Sequence, residues 1–164
     1  MTPSALALSR RLAAVPGVCS DGMRLIIWES DGSRDRYESR PVRVLWRCPD
    51  GWLMVVNTAD APSANFDDVI LSLVPVPWIP GGGPTPAIDL DDPATRGCLL
   101  AVLRERTGAP AAQATPWTRP GPDGKLVASR WRVVLNRTLN DGDEWESPTE
   151  GEALAAALLA TVGT

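Results

Sequence analysis

The twelve residues from Pro75 to Pro86, PVPWIPGGGPTP, restrict the fold of this chain more than any other stretch. They include five prolines and three consecutive glycines. Because proline removes a backbone donor and glycine is costly to order, such a stretch cannot continue a helix or a central strand. The sequence therefore predicts one domain, residues 1–164, with a sub-boundary at residues 75–87 between an αβββ(β) unit and an αββα unit. Both a linker and a lid over a ligand are compatible with this composition.

Two helices are predicted from a capping residue followed by proline. Thr2-Pro3 and Asp92-Pro93 each place a side-chain acceptor at the N-cap and proline at the first helical position, where its missing N–H costs nothing. We expect the first helix to end before Pro16-Gly17 and the second to end at Gly108. Residues 97–103 are apolar nearly all round, so the second helix is expected to be buried on every side.

The third helix start is predicted at Ser147-Pro148-Thr149-Glu150, where an S-x-x-E capping box coincides with proline at the first helical position. Alanine occupies five positions from 153 to 160, which permits close packing against a sheet. The inward stripe of this helix is expected to contain Leu154, Leu158, Leu159 and Val162.

Alternating and β-branched runs predict strands between these helices. They cover residues 23–28, 42–47, 52–56, 69–74, 126–135 and about 137–145, although residues 66–73 could form a helical turn instead of the fourth strand. The turn at Cys48-Pro49-Asp50-Gly51 joins the second and third of these runs into a hairpin, and the third, apolar on both faces, is expected to be internal in its sheet. Alternation also places Trp46 on the core face with Val42 and Val44. The fold class is therefore α+β, with antiparallel sheets packed by three helices.

The absence of histidine from all 164 residues excludes several common enzyme classes. Ser–His and Cys–His nucleophilic pairs cannot form. The cysteines Cys19, Cys48 and Cys98 have neither the close paired spacing of a zinc site nor the even number of a disulfide framework. Lys125, the only lysine, falls in a predicted turn. We therefore predict no catalytic residue, no metal and no cofactor.

Charge and hydropathy limit the partners of the chain. With 20 acidic and 16 basic residues the net charge is −4, which makes bulk nucleic-acid binding a poor expectation, although a local arginine cluster could override the average. No run approaches the roughly 18 apolar residues of a membrane span. Arg10 and Arg11 interrupt the N-terminal segment, which lacks the apolar run of a signal peptide. We expect no membrane partner and a cytoplasmic location.

Four arginines are the first candidate for ligand binding. They are Arg43, Arg47, Arg130 and Arg132. Alternation places the first two on one side of the 42–47 strand and the last two on one side of the 126–135 strand. If both strands lie in one sheet, four guanidiniums project from its open face and suit a phosphate or carboxylate ligand. The alternative is an ordinary solvated face on which these arginines pair with acids such as Glu29 or Glu144.

Two of the seven tryptophans, Trp78 and Trp117, lie beside prolines in stretches predicted to be loops. An amphipathic ring in such a position could stack on a base or cover a partner protein. It could equally fold back and close the core.

Two acidic clusters could bind Mg²⁺ or Ca²⁺. They are Asp89-Leu90-Asp91-Asp92 and the group Asp141, Asp143, Glu144 and Glu146. Each cluster precedes a predicted helix, and the helix dipole by itself favours acids in that position.

The run from Ile88 to Glu105, IDLDDPATRGCLLAVLRE, resembles a segment of many small accessory proteins of bacteriophages and prophages, whose core pattern is D-P-A-T-x-G-C-L-L-x-L-V-R-E. The run LAAVPG at residues 12–17 and the run PTEGEAL at residues 148–154 are similar to the two ends of these proteins. Residues 29–87 look like an insertion relative to the shorter members. The resemblance implies a phage accessory protein that works in the host cytoplasm, and it implies no activity.

Three functions are compatible with these patterns. The first is a non-enzymatic binding module for a host protein or a small anionic, nucleotide-like ligand, for example to counter a host defence. The second is a virion or assembly protein that self-associates through the hydrophobic hairpin and the proline-rich stretch. The third is a carboxylate–metal-dependent nuclease or phosphodiesterase that uses the acidic clusters. We take the first as the working hypothesis, with the four arginines, Trp78 and Trp117 as its ligand-binding residues.

Overall fold

A computed structural model describes residues 1–30, 37–48, 52–57, 71–75, 86–120, 123, 125–135 and 144–162. The helices in these ranges are α1 (Pro3–Ala13), α2 (Pro93–Thr107) and α3 (Glu150–Val162). The strands are β1 (Arg24–Ser30), β2 (Tyr37–Arg47), β3 (Trp52–Asn57), β4 (Leu71–Pro75), β5 (Ala87–Ile88), β6 (Gln113–Pro120), β7 (Leu126–Val134) and β8 (Glu144–Ser147). The predicted α+β class is confirmed, since the strands form two antiparallel sheets packed by helices.

Five strands form the first sheet, in the order β4-β3-β2-β1-β5. β2 and β3 pair as the predicted hairpin, and the Cys48 N–H donates to the Trp52 carbonyl at 2.7 Å at its closed end. β3 pairs with β4 on its other side, which confirms that this strand is internal. At the opposite edge the Ser9 hydroxyl of α1 donates to the Ile88 carbonyl at 2.6 Å. This buried hydrogen bond fastens α1 to the short strand β5.

The second sheet has the order β6-β7-β8, and α3 packs against all three of its strands. The same helix packs against α1 and α2. One hydrophobic core joins the inner face of the five-stranded sheet, the three helices and Val133 of β7. α3 is therefore the central element of the fold, and its alanines permit this close packing on several sides.

Two of the three helices begin where predicted, but α2 and the end of α3 are less buried than predicted. The side chains of Thr2 and Asp92 cap α1 and α2, and Gly108 ends α2 in the left-handed conformation, with φ of 62°. α2 is buried on one face only, because Gly97 and Ala101 face away from the core and are exposed. The end of α3 also emerges from the core, so Val162 is exposed instead of inward. None of the helices in the described ranges is long and apolar enough to cross a membrane.

α3 starts two residues later than predicted. Its N-cap is Thr149, whose Oγ1 accepts a hydrogen bond from the Glu152 N–H at 3.2 Å and whose carbonyl accepts one from the Ala153 N–H at 3.1 Å. The capping-box spacing is therefore that of Thr149 and Glu152. Gly151 is required in this first turn, because an added Cβ would lie 2.8 Å from the Cβ of Leu90 and closer still to its carbonyl.

A β-bulge in β2 reverses the predicted alternation of side chains. Val44 pairs with Val55, whereas Trp46 pairs with Met54, so Leu45 is the extra residue. Trp46 therefore leaves the core face and is 49% exposed. The prediction that Trp46 shares the core face with Val44 is wrong, because a one-residue slip in register moves every following side chain to the other face.

The predicted break at residues 75–86 lies almost wholly outside the described residues. Pro75 closes β4, and Pro86 is buried next to β5. The sub-boundary, and the choice between linker and lid, therefore stay predictions.

Candidate binding surface

The four candidate arginines do not form one face. Arg43 and Arg47 lie on β2 of the five-stranded sheet, whereas Arg130 and Arg132 lie on β7 of the three-stranded sheet. The prediction of four converging guanidiniums required both strands to share a sheet, and this condition fails. Strand alternation assigns side chains to a face, but it does not say which strands pair.

Arg43 is used to build the fold. Its Nη2 lies 3.1 Å from Asp92 Oδ1, and its Nη1 donates to the Gly22 carbonyl at 2.6 Å. Asp92 Oδ2 also accepts hydrogen bonds from the N–H and the hydroxyl of Thr95, both at 2.8 Å. Burial raises the pKa of Asp92, but the bonds from Arg43 and Thr95 outweigh this effect and hold the pKa below its ordinary value. The charge of Arg43 is therefore neutralised by a structural carboxylate.

The Asp92–Thr95 motif positions α2 in the fold. Thr95 Oγ1 accepts a hydrogen bond from the N–H of Arg24 at 2.8 Å, which connects α2 to β1. The next residue, Arg96, places its Nε 3.0 Å from the carboxylate of Glu150, which connects α2 to α3. These contacts account for the polar residues of the motif without a ligand.

Arg47 is exposed and acts electrostatically on Cys19. Burial raises the pKa of the Cys19 thiol to about 11, although the positive charge of Arg47 opposes the shift. Because the thiolate is the nucleophilic form, Cys19 is inert at neutral pH. Arg47 and Cys19 therefore do not form a reactive pair.

The outer face of the three-stranded sheet brings the other two arginines together with a tryptophan. Trp117 pairs with Arg130 across β6 and β7, and Glu146 pairs with Arg132 across β7 and β8. The guanidinium carbon of Arg132 lies 3.9 Å from the centroid of the Trp117 ring, and its Nη2 lies 2.9 Å from Glu146 Oε1. Arg132 is thus held between an aromatic ring and a carboxylate. We call the residues Thr115, Trp117, Arg130, Arg132 and Glu146 the Trp117 face.

The prolines beside Trp117 predicted a loop, but Trp117 lies in a strand. Among the described strands β6 lies at the edge of its sheet, where Pro116 is tolerated because its missing N–H is not needed for pairing. The Trp117 ring has not folded into the core and is 40% exposed, and Arg130 beside it is also exposed. Trp78, the other candidate tryptophan, lies outside the described residues.

The acidic clusters are largely engaged in other contacts where they are described. Asp89 Oδ2 lies 3.5 Å from the Nε of Arg24, Asp92 caps α2, and Glu146 pairs with Arg132. Asp141 and Asp143, and the side chain of Glu144, lie outside the described part. Within that part, no group of three acidic or cysteine side chains could hold a metal ion.

A groove between the first turns of α1 and α3 was missed in the sequence. Two adjoining cavities of about 340 and 470 Å³ share the lining residues Thr2, Ala5, Thr149 and Glu152, and we call them together the α1–α3 groove. Glu152 is only 8% exposed, and its carboxylate has no hydrogen-bond or ion-pair partner among the described residues. The sequence signal for this site was an acidic residue within the alanine- and leucine-rich run of α3, but the groove forms only because α1 packs beside α3.

Comparisons with known proteins found no significant match. No protein-family model matches the chain, and neither a curated protein nor a solved structure is significantly similar to it. Its function must therefore be inferred from its own surfaces.

Proposed function

We propose that this chain is a non-enzymatic binding protein whose partner, another protein, docks on the Trp117 face. The observation that carries the proposal is the exposed indole of Trp117, held in place by Arg132 on the side of the sheet opposite the core. Tryptophan and arginine are the residue types that contribute most to binding energy at protein interfaces. Because Arg132 is itself anchored by Glu146, little side-chain freedom remains to be lost when a partner docks.

The shape of this surface favours a protein over a small ligand. Small-molecule sites are concave, whereas the Trp117 face is one side of a three-stranded sheet. The cavities of the α1–α3 groove are lined by other residues. The described part of this surface therefore offers a broad contact around one aromatic anchor and no pocket that encloses a nucleotide.

The charges of the surface define the chemistry of the partner. Arg132 is neutralised by Glu146, while Arg130 is exposed with no acidic partner among the described side chains. A guanidinium without an acidic partner among the described residues, lying beside an indole, suits a protein that presents a carboxylate next to an apolar patch. The phosphates of a nucleotide would require several free cations on the same face.

The resemblance of residues 88–105 to phage accessory proteins supports a host protein as this partner and the host cytoplasm as the place of binding. The missing histidine supports a function without acid–base or nucleophilic catalysis by that residue. Sequestration of a host defence protein is the version of the proposal that this resemblance supports.

The test measures loss of one defined partner. Immobilised wild-type protein and the variants Trp117→Ala and Arg130→Glu are incubated with bacterial host lysate, and the retained proteins are quantified by mass spectrometry. The control for Arg130→Glu is Arg11→Glu, the same charge reversal at an exposed position of α1. The control for Trp117→Ala is Thr118→Ala, at the exposed next position of β6. The protein lost only with the two face variants is then purified for calorimetry.

We expect Trp117→Ala to weaken the Kd of that purified partner by about thirtyfold or more, as for interface hot spots. Retention of the same proteins by all five samples would refute the Trp117 face as the docking site. Titration with cyclic and linear nucleotides tests the small-ligand alternative. If a nucleotide gives saturable heat that disappears in the double variant Arg130→Ala plus Arg132→Ala, the ligand is a nucleotide and not a protein.

Self-association is a second candidate function, favoured by the bulge in β2. Leu45 and Trp46 are 40% and 49% exposed near the closed end of the hairpin. Neighbouring exposed apolar side chains of this size suit contact with another copy. Light scattering after size-exclusion chromatography tests this function: an oligomer that Trp46→Ser dissociates supports an assembly protein, and a wild-type monomer contradicts it.

A further inference from the structure

We propose that the α1–α3 groove binds a protonated alkyl amine or alkyl guanidinium, with the carboxylate of Glu152 as its anchor. This site shares no residue with the Trp117 face, so the two proposals stand or fall separately. It adds a ligand class, a small organic cation or the side chain of lysine or arginine, to a protein that is itself net negative.

The state of Glu152 is the first observation behind this site. Glu152 is only 8% exposed as a residue, yet no described residue donates a hydrogen bond to its carboxylate or forms an ion pair with it. Its oxygens are not among the fully buried unpaired atoms, so they can be reached from the groove, and a carboxylate with so little contact with water gains from pairing with a cation. The position of Glu152 in the first turn of α3 favours its charged form through the helix dipole, but it leaves the carboxylate oxygens without donors among the described residues.

The groove is the second observation, because it gives a ligand access to this carboxylate. Both of its cavities, of about 340 and 470 Å³, are lined by Glu152. The larger one is also lined by Leu8, Pro148 and Ala156, which form an apolar wall. An alkyl chain can lie along this wall while its charged end reaches Glu152, as the stem of a lysine covers apolar surface.

The polar atoms near Glu152 suit the donors of a cation. Thr149 Oγ1 accepts one backbone hydrogen bond, at 3.2 Å from the Glu152 nitrogen, and a hydroxyl oxygen has a second lone pair. An ammonium group carries three donors and no acceptor, so a carboxylate and a hydroxyl oxygen are the partners that it requires. A charge-assisted hydrogen bond to Glu152 would be the strongest of these contacts.

Other ligand classes fit the groove less well. Ca²⁺ requires six to eight oxygen ligands, and Mg²⁺ requires octahedral geometry. The only other acid that lines the groove among the described residues is Asp91, which is 64% exposed and lies 4.0 Å from the Met1 amine. An anion would be repelled by Glu152, and the Met1 ammonium, which also lines the smaller cavity, already lies beside Asp91. An organic cation with an apolar arm is the class that satisfies both the carboxylate and the wall.

The experiment is a titration of the ¹⁵N-labelled full chain followed by NMR. The probes are butylammonium, butylguanidinium and, as the neutral isostere, 1-butanol. We expect saturable shifts at the amides of Thr2, Ala5, Thr149 and Glu152, with a Kd of about 1 mM, the range of one charged contact plus a short alkyl chain. Butanol should bind roughly tenfold more weakly, because it keeps the arm and loses the charge.

The matched variants separate the carboxylate from the overall charge. Glu152→Gln should weaken butylammonium binding by roughly ten- to hundredfold. Glu105→Gln, which makes the same charge change at an exposed position of α2, should leave it unchanged. Equal binding of butanol and butylammonium, no saturable shift at these amides, or unaltered binding to Glu152→Gln would each overturn the proposal. The butanol comparison uses unmodified protein and remains decisive even if Glu152→Gln does not fold.

The last arm of the experiment identifies the source of the cation. Nα-acetyl-lysine methylamide represents a lysine side chain of a protein. Binding as tight as that of butylammonium, at the same amides, assigns the groove to a basic residue of a protein partner. Binding of butylammonium alone assigns it to a free small amine.

Discussion

Asp92→Ala is expected to destabilise the fold strongly, because this one carboxylate holds both the start of α2 and the side chain of Arg43. The bonds to the N–H and hydroxyl of Thr95, both at 2.8 Å, cap the helix. The contact with Arg43, at 3.1 Å, fixes α2 to the middle of the five-stranded sheet. Alanine removes these contacts together and leaves the guanidinium with the Gly22 carbonyl.

The magnitude follows from these two contributions. Loss of an N-cap costs about 1 kcal/mol. Loss of one partner of a buried ion pair costs about 3–5 kcal/mol, but the Arg43 side chain is 33% exposed, so water can solvate it and we take about 1–2 kcal/mol. The free energy of unfolding should therefore fall by about 2–3 kcal/mol, a large part of the roughly 5–15 kcal/mol of a typical domain. The corresponding fall in Tm is about 5–10 °C.

Urea unfolding followed by tryptophan fluorescence measures this change, with Asp91→Ala as the matched control. Asp91 is the preceding residue and is 64% exposed, so its loss should cost under about 0.5 kcal/mol. A double-mutant cycle with Arg43→Ala should give a coupling energy of about 0.5–3 kcal/mol between the two residues. Equal destabilisation by Asp91→Ala and Asp92→Ala would refute the role of Asp92 as cap and ion-pair partner.

The same carboxylate predicts a pH signature. The pKa of Asp92 in the folded protein lies below its ordinary value, which is about 3.9 in an unfolded chain. Ionised Asp92 therefore stabilises the fold above about pH 4, and this contribution is lost as the pH falls through the lowered folded pKa. The difference in unfolding free energy between wild type and Asp92→Asn should narrow below pH 4. A constant difference from about pH 6 to pH 3 would contradict this linkage.

Two further predictions test packing and burial. Gly151→Ala should lower the free energy of unfolding by about 1–3 kcal/mol or more, because the added Cβ would overlap Leu90. Gly97→Ala should raise it by about 0.5–1 kcal/mol, because nothing lies within 4 Å of the added Cβ. Urea unfolding midpoints that move in the same direction for both variants would contradict this prediction. Cys19 should resist alkylation at pH 8 until the protein is unfolded, whereas the half-buried Cys48 should react earlier, as peptide mass spectrometry can show. Early modification of Cys19 would contradict its burial.

The local elements of the fold could be predicted where the physics is local. Thr2-Pro3 and Asp92-Pro93 start helices because a side-chain acceptor and a proline satisfy the first turn without help from the rest of the chain. The β2–β3 hairpin followed from its turn residues. The N-cap of α3 was predicted two residues too early. Ser147 and Thr149 both suit an N-cap, but Ser147 is the last residue of strand β8.

The candidate sites could be predicted only in part, because they combine residues that are distant along the chain. Arg130 and Arg132 share a face, as alternation within one strand predicts. Trp117 lies close to Arg132 because β6 pairs with β7. This pairing could not be predicted, because Pro116 is typical of a loop and not of a strand. The α1–α3 groove needs Thr2 and Glu152 side by side, which no local pattern expresses.

Residue chemistry and local propensity were thus sufficient for the α+β class, the two proline-led helix starts and the hairpin. Tertiary packing determined the division of β2 and β7 between two sheets, the bulge that exposes Trp46, and the burial of α3 from Gly151 to Leu158. The physical reason is that capping and turn formation involve groups a few residues apart, whereas sheet membership, register and cavities arise when distant segments compete to bury the same apolar surface. Both proposed sites, the Trp117 face and the α1–α3 groove, belong to this second kind.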